Sequence, residues 1–169
     1  MSTEVFKLAI VGSGPGGLSA ACRAAEMGDS YVLLEAQPHL SNTIYRYQKG
    51  KHVMAEPNVL PLRAATGFGA GSRETILSVW QQDAERLSLN VRHRAEVSQI
   101  QREPQANPTG MESLFRLTLA SGGEVFASSV VLAIGVQGNL RKLESRAVTL
   151  NTSNINWMTL KRIKMKPSW

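Results

Sequence analysis

Residues 5–35 read VFKLAIVGSGPGGLSAACRAAEMGDSYVLLE, and each part of that stretch has a physical reading. Val5–Val11 is a short apolar run rich in β-branched residues, the pattern of a strand buried on both faces. Gly12, Gly14, Gly16 and Gly17 end it. Leu18 to Met27 follows with Ala20, Ala21, Ala24 and Ala25 in a helix-forming context, and Gly28 is placed to stop that helix. Tyr31-Val32-Leu33-Leu34-Glu35 is a second buried strand that closes on an acid. Strand, glycine turn, helix and strand within about 30 residues predict a βαβ unit.

The turn Gly12-Ser13-Gly14-Pro15-Gly16-Gly17 fits G-x-G-x-x-G through Gly12, Gly14 and Gly17. The first glycine permits the tight turn and the second lets a pyrophosphate approach the backbone. The third lets helix and strand pack closely. The helix beyond aims its dipole and free N–H groups at the phosphates. Glu35, at the end of the second strand, is placed to accept bonds from both ribose hydroxyls, with Ala36 beside it. Its charge would repel a 2′-phosphate and so disfavours NADP here. Flanking strand, helix and acid make the motif a dinucleotide-binding candidate rather than a bare glycine turn.

Working outward, 169 residues with 43% hydrophobic content are enough for one compact domain with a real core. No run approaches the length of a membrane span, and MSTEVFK lacks a signal-peptide pattern, so the expected location is the cytoplasm. Cys22 is the single cysteine, which excludes an internal disulfide framework and a cysteine-rich metal site. Set among alanines on the first helix, it reads as a small packing residue. His39, His52 and His93 lack metal-ligand spacing, and no nucleophile–base constellation appears, so neither catalytic nor metal residues are assigned. His52 is the histidine placed nearest a bound ring.

The net charge of +6 is uneven. Residues 1–143 carry 14 basic and 12 acidic residues, whereas residues 144–169 carry 5 and 1. The body shows no basic face with interleaved aromatics, so neither nucleic acid nor a membrane surface is expected as a partner. Residues 36–71 have poor periodicity, broken by prolines and glycines, as in a functional covering segment. Ser72 is a plausible N-cap for a helix to about Leu87, with Ile76, Trp80, Ala84 and Leu87 on one face. One strand is expected over Val91–Ile100, a turn over Pro104–Gly110, and a strand over Leu114–Ala120 with a hairpin at Gly122-Gly123. Two further strands are expected, one through Val125–Phe126 and one over Val130–Ile134 ending at Gly135.

The N-terminal position of the glycine turn and its form G-x-G-P-G-G resemble the two-dinucleotide-binding-domain flavoproteins. These are FAD-dependent pyridine nucleotide-disulfide oxidoreductases such as the thioredoxin-reductase-like and bacillithiol-disulfide-reductase-like enzymes. The resemblance covers about residues 5–143. It implies that the first glycine motif binds the ADP half of FAD. It also implies that Ala95-Glu96-Val97 matches the Ala-x-Val strand against the adenine, and that Ala133-Ile134-Gly135 matches an Ala-Thr-Gly strand end near the cofactor, with Ile for Thr. The implied fold is α/β, a Rossmann-like sheet with a β-rich insertion, and the implied chemistry is NAD(P)H-dependent flavin oxidoreduction. The implied cofactor-binding residues are Gly12, Ser13, Gly14, Pro15, Gly16, Gly17, Glu35, Ala36, Val97, Ala133 and Gly135.

The chain departs from the family in three respects. Residues 36–71 lack the C-x4-C redox pair, no second glycine motif provides for NAD(P)H, and no later Gly-Asp pair holds the ribityl chain. The expectation is therefore the N-terminal FAD-binding portion of such an enzyme, with NAD(P)H bound only in a longer parent. A nonenzymatic remnant that binds dinucleotide weakly or not at all stays open as the alternative. Residues 144–169 lose periodicity and gain charge. Asn156-Trp157-Met158-Thr159 requires AAY-TGG-ATG-ACN, which read one base earlier gives Leu-Asp-Asp. The expectation is a lost base near codon 143 or 144, or a gene-model error of that kind. An intact basic extension is the alternative.

Overall fold

The computed structural model describes residues 4–54, 64, 66–103 and 114–135, all within one compact unit, Met1–Gly138. The predicted βαβ unit is present as β1 (Val5–Val11), α1 (Pro15–Glu26) and β2 (Tyr31–Glu35). Helix α1 stops where the sequence placed its stop. Gly28 takes φ 68°, and its amide and that of Asp29 close on the carbonyls of Ala25 and Ala24 at 3.0 Å each. This is the left-handed C-terminal closure that glycine adopts without a Cβ penalty.

Among the described residues between 36 and 72, regular structure is α2 (Asn42–Tyr45) and the two-residue strands β3 (His52–Val53) and β4 (Gly71–Ser72). Helix α3 (Arg73–Arg86) begins at Ser72, whose hydroxyl accepts from the Thr75 amide at 3.2 Å. Ile76, Trp80 and Ala84 are buried along one face of α3, as their spacing predicts, and Leu87 is half-buried.

Strands β5 (Val91–His93), β6 (Val97–Arg102), β7 (Phe115–Leu119) and β8 (Glu124–Leu132) complete a six-stranded sheet in the order β5-β2-β1-β8-β7-β6. The first four strands in that order are parallel, while β8-β7 and β7-β6 are antiparallel. The fold is therefore a Rossmann-like sheet whose β-rich part continues the sheet through β8. The expected hairpin is present, with Gly122 at φ 93° between β7 and β8.

Two expected strand boundaries are corrected. The single strand over Val91–Ile100 is two strands, because Arg94 sits at φ 54° and turns the chain. Strand β5 then lies parallel to β2, whereas β6 pairs antiparallel with β7. Conversely, the strands at Val125–Phe126 and Val130–Ile134 are one nine-residue strand, β8. The intervening serines stay in the ladder, where Ser129 pairs with Leu8 and the Ser128 hydroxyl donates to the Lys7 carbonyl at 2.9 Å. The turn expected over Pro104–Gly110 and the tail over 144–169 lie outside the described residues.

Two apolar clusters hold the sheet. Ile10, Leu18, Ala21, Ala24, Leu33, Ile76 and Trp80 join α1 and α3 to β1 and β2. Phe6, Val11, Val32, Leu34 and Ala95 cluster with Leu117, Val125 and Ala127 of the antiparallel strands. The alternation of Val32 and Leu34 with Leu33 sends neighbouring β2 side chains to opposite clusters, as pleating requires. Full burial of a leucine such as Leu18 or Leu33 contributes about 1.5–3 kcal/mol. The parallel core is thereby fixed, and with it the geometry of its strand ends.

Candidate functional site

The carboxyl ends of β1, β2, β5 and β8 come together on one edge of the sheet, and the chain order reverses between β1 and β8. In open α/β sheets, a crevice at such a switch point is where ligands bind. The glycine turn after β1 lies there.

Each glycine of that turn does a different steric job. Gly12 holds φ 98°, and a Cβ on it would sit 2.6 Å from the Ala133 carbonyl oxygen. Gly17 packs tighter still, since a Cβ there would lie 1.8 Å from the Gly12 oxygen and 3.3 Å from the Ala133 Cβ. Gly14 is the opposite case, because a Cβ on it would meet nothing within 4 Å. Gly12 and Gly17 therefore bring β1, α1 and the end of β8 into contact, while Gly14 borders open space. Ala133 donates its amide to the Val11 carbonyl at 2.8 Å, which docks the end of β8 beneath the turn. Gly135 follows, exposed, at φ 64°.

Helix α1 starts with Gly14 as N-cap, Pro15 at its first position and no side-chain cap. No acidic residue lies in its first turn. The first amides of any helix have no intrahelical acceptor, and proline has no amide to lose. The Gly16 and Gly17 amides thus sit at the positive end of a twelve-residue helix. That arrangement suits an anionic oxygen, and the space over Gly14 gives it a way in.

Glu35, buried at the end of β2, faces the same turn. Its Oε2 accepts from the Ser13 amide at 3.0 Å and from the Ser13 hydroxyl, and its Oε1 accepts from the Gln37 amide at 2.9 Å. Ser13, expected as a cofactor-binding residue, is fully buried and turns both donors toward Glu35. Ser41 completes the cluster. Its amide donates to the Ser13 Oγ at 3.0 Å, and its hydroxyl donates to the Ser13 carbonyl at 2.8 Å. Ser41 was not singled out in the sequence, and its signal was indirect, since a buried acid at the end of β2 needs donors from somewhere.

The remaining expected residues divide by position. Pro15, Gly16 and Ala36 are exposed at this edge. The Ala95 amide donates to the Glu35 carbonyl at 2.9 Å, so the Ala95-Glu96-Val97 segment adjoins the acid. The Val97 side chain itself packs, half-buried, against the cluster formed with the antiparallel strands. Cys22 is buried on α1, and burial pushes its thiol above the ordinary range. Burial likewise raises the Tyr31 phenol. His39, His52 and His93 are exposed, and His39 stacks on Tyr45 with ring centroids 3.9 Å apart. Among the described residues, no group of three His, Cys, Asp or Glu side chains could hold a metal ion. Among them, too, no helix is long and apolar enough to cross a membrane.

Residues 10–82 match the NAD(P)-binding Rossmann-like domain family. No curated protein sequence matches the chain. Among solved structures, the bacillithiol disulfide reductase of Staphylococcus aureus superposes with a TM-score of 0.68 at 18% identity, covering 88% of this chain and 44% of that one. A flavin-containing monooxygenase from Stenotrophomonas maltophilia gives 0.60 at 20% identity, over 78% of this chain and 38% of that one. A ferredoxin-flavin thioredoxin reductase from Clostridium acetobutylicum gives 0.58 at 22% identity, over 82% and 40%. The chain thus spans less than half the length of the structures it resembles, and what it shares with them is the fold.

Proposed function

We propose, for a chain that carries an NAD(P)-binding Rossmann-like domain over residues 10–82, that it is the FAD-binding portion of an NAD(P)H-dependent flavoprotein oxidoreductase. The observation that carries this reading is the pairing of two features on one sheet edge. The uncapped N-terminus of α1 opens beside Gly14, and the Glu35 carboxylate stands at the neighbouring strand end. The first suits a pyrophosphate and the second a ribose hydroxyl.

In this reading Gly12, Gly14, Gly16 and Gly17 hold the pyrophosphate, with Pro15 shaping the first helical turn. Glu35 and Ala36 take the adenosine ribose, and Val97 lies by the adenine. Ala133 backs the turn, and Gly135 lies near the pyrophosphate or the ribityl chain. The resemblance to the two-dinucleotide-binding-domain flavoproteins favours FAD over a nicotinamide dinucleotide at this site, and two segments carry it. The Ala95–Val97 segment adjoins Glu35 through the Ala95 amide, and Ala133, the residue after β8, docks under the glycine turn with Ile134 and Gly135 following. When bound, the flavin supplies the hydride and electron chemistry, while the chain contributes binding and orientation. Residues 1–143 form the cofactor-binding portion, and NAD(P)H engages a further domain of a longer parent.

Equilibrium titration of the purified chain with FAD, NADH and NADPH tests this. FAD is expected to bind most tightly, and NADPH most weakly because its 2′-phosphate meets the Glu35 charge. Tighter binding of either nicotinamide dinucleotide than of FAD would overturn the assignment.

A further inference from the structure

The polar cluster under the glycine turn has a direction. Ser41 donates its amide to the Ser13 Oγ, so the Ser13 hydroxyl proton is left to point at Glu35. Ser41 is itself fixed, because its hydroxyl is bound to the Ser13 carbonyl and its backbone is held at φ 50°. A carboxylate oxygen has two lone-pair directions. Oε2 receives two donors, the Ser13 amide and the Ser13 hydroxyl, and is full. Among the described residues, Oε1 receives one donor, the Gln37 amide, which leaves it a second direction.

We infer that Ser13 and Ser41 are positioning residues that leave Glu35 a single acceptor, on Oε1, so that the site reads one of the two adenosine ribose hydroxyls rather than both. This rests on the reading that a dinucleotide lies at this edge, and it replaces the sequence expectation that the carboxylate takes both hydroxyls. Ser13, Glu35 and Ser41 are buried, and the Ser13 and Ser41 donors all find acceptors within the cluster. Recruiting Oε2 to a second hydroxyl would require the Ser13 hydroxyl to leave its only charged partner and stay unpaired in the interior.

The test uses ADP, 2′-deoxy-ADP and 3′-deoxy-ADP as probes, titrated against the full chain and its Ser13→Ala variant. Loss of a hydrogen bond to a charged group corresponds to about tenfold or more in affinity. The wild-type chain should show that loss for one deoxy analogue and little change for the other. Ser13→Ala removes the hydroxyl and opens a direction on Oε2, so the variant should be penalised by both analogues. The wild-type arm stands even if the variant fails to fold. Equal penalties for both analogues in the wild type would overturn the inference, as would no penalty for either. A variant that keeps the one-hydroxyl pattern would remove Ser13 from the account. Failure of ADP itself to bind would instead overturn the dinucleotide reading, and this inference with it.

Discussion

Gly17→Ala and Gly14→Ala separate the two roles of the glycine turn. At Gly17 the added Cβ would lie 1.8 Å from the Gly12 carbonyl oxygen and 2.9 Å from its carbon, so α1 and β1 must part by at least 1.2 Å to restore a 3.0 Å contact. Both partners are backbone, so no side chain can swing away to absorb the contact. The displaced helix carries Leu18, Ala21, Cys22 and Ala24, which are buried in the core. Overpacking of a tight interior typically costs about 1–3 kcal/mol and more where backbone must move. With a whole helix shifted, about 3 kcal/mol or more is expected, a large part of the roughly 5–15 kcal/mol that stabilises a domain. At Gly14 nothing lies within 4 Å, and its φ of −67° suits alanine. Alanine there gains about 0.4–1 kcal/mol through the unfolded chain, but Gly14 is the N-cap of α1, where glycine is preferred to alanine by a similar amount, so the change should be close to neutral. The new methyl would nevertheless stand in the space through which a phosphate reaches the α1 amides. Urea unfolding followed by circular dichroism, with ADP titration of the folded variants, reads both effects. A Gly17→Ala chain within about 0.5 kcal/mol of wild type would refute the close-packing argument. A Gly14→Ala chain that binds ADP unchanged would refute the assignment of that space to phosphate.

Two other outcomes follow from particular contacts, and a third from the sequence of the tail. Ser72→Ala removes the acceptor for the Thr75 amide and should destabilise the chain by about 1 kcal/mol, seen as a lower urea midpoint. Burial raises the Cys22 thiol, so the folded state holds that proton more tightly than the unfolded chain. Its contribution should therefore be intact below the ordinary thiol range and fall as pH rises through and above it. In the native protein a thiol reagent should react slowly until denaturant is added, and rapid reaction without denaturant would contradict the burial. Sequencing the coding DNA across codons 140–169 should reveal a single-base loss relative to a frame that continues the fold. An unbroken frame shared by close relatives that carry the same tail would remove that expectation.

The β1–α1–β2 unit was legible because its signals are local. The apolar runs, the glycine spacing, the alanine-rich helix and Gly28 each act within a few residues. The same holds for Ser72 and the hairpin at Gly122. The division of Val91–Ile100 was not legible, because the residue that turns the chain is Arg94, whose type gives no warning of a left-handed backbone. Its conformation follows from β5 pairing with β2 while β6 pairs with β7, a choice made by distant strands. The union of the two β8 halves was hidden for a related reason. Ser128-Ser129 resembles a turn, yet β1 supplies a partner along both halves of the strand. At the site, Glu35 and the glycines were readable from spacing. The inward turn of Ser13 depends on Ser41, 28 residues away in an irregular stretch, so no local pattern could announce it.

We propose that this chain holds a flavin dinucleotide at the end of β1. The most direct test is gel filtration of the purified chain after addition of FAD, recording visible absorption across the protein peak. Flavin bands that travel with a folded, monodisperse protein at about one flavin per chain are the predicted result. A folded protein that elutes colourless at saturating FAD would contradict it.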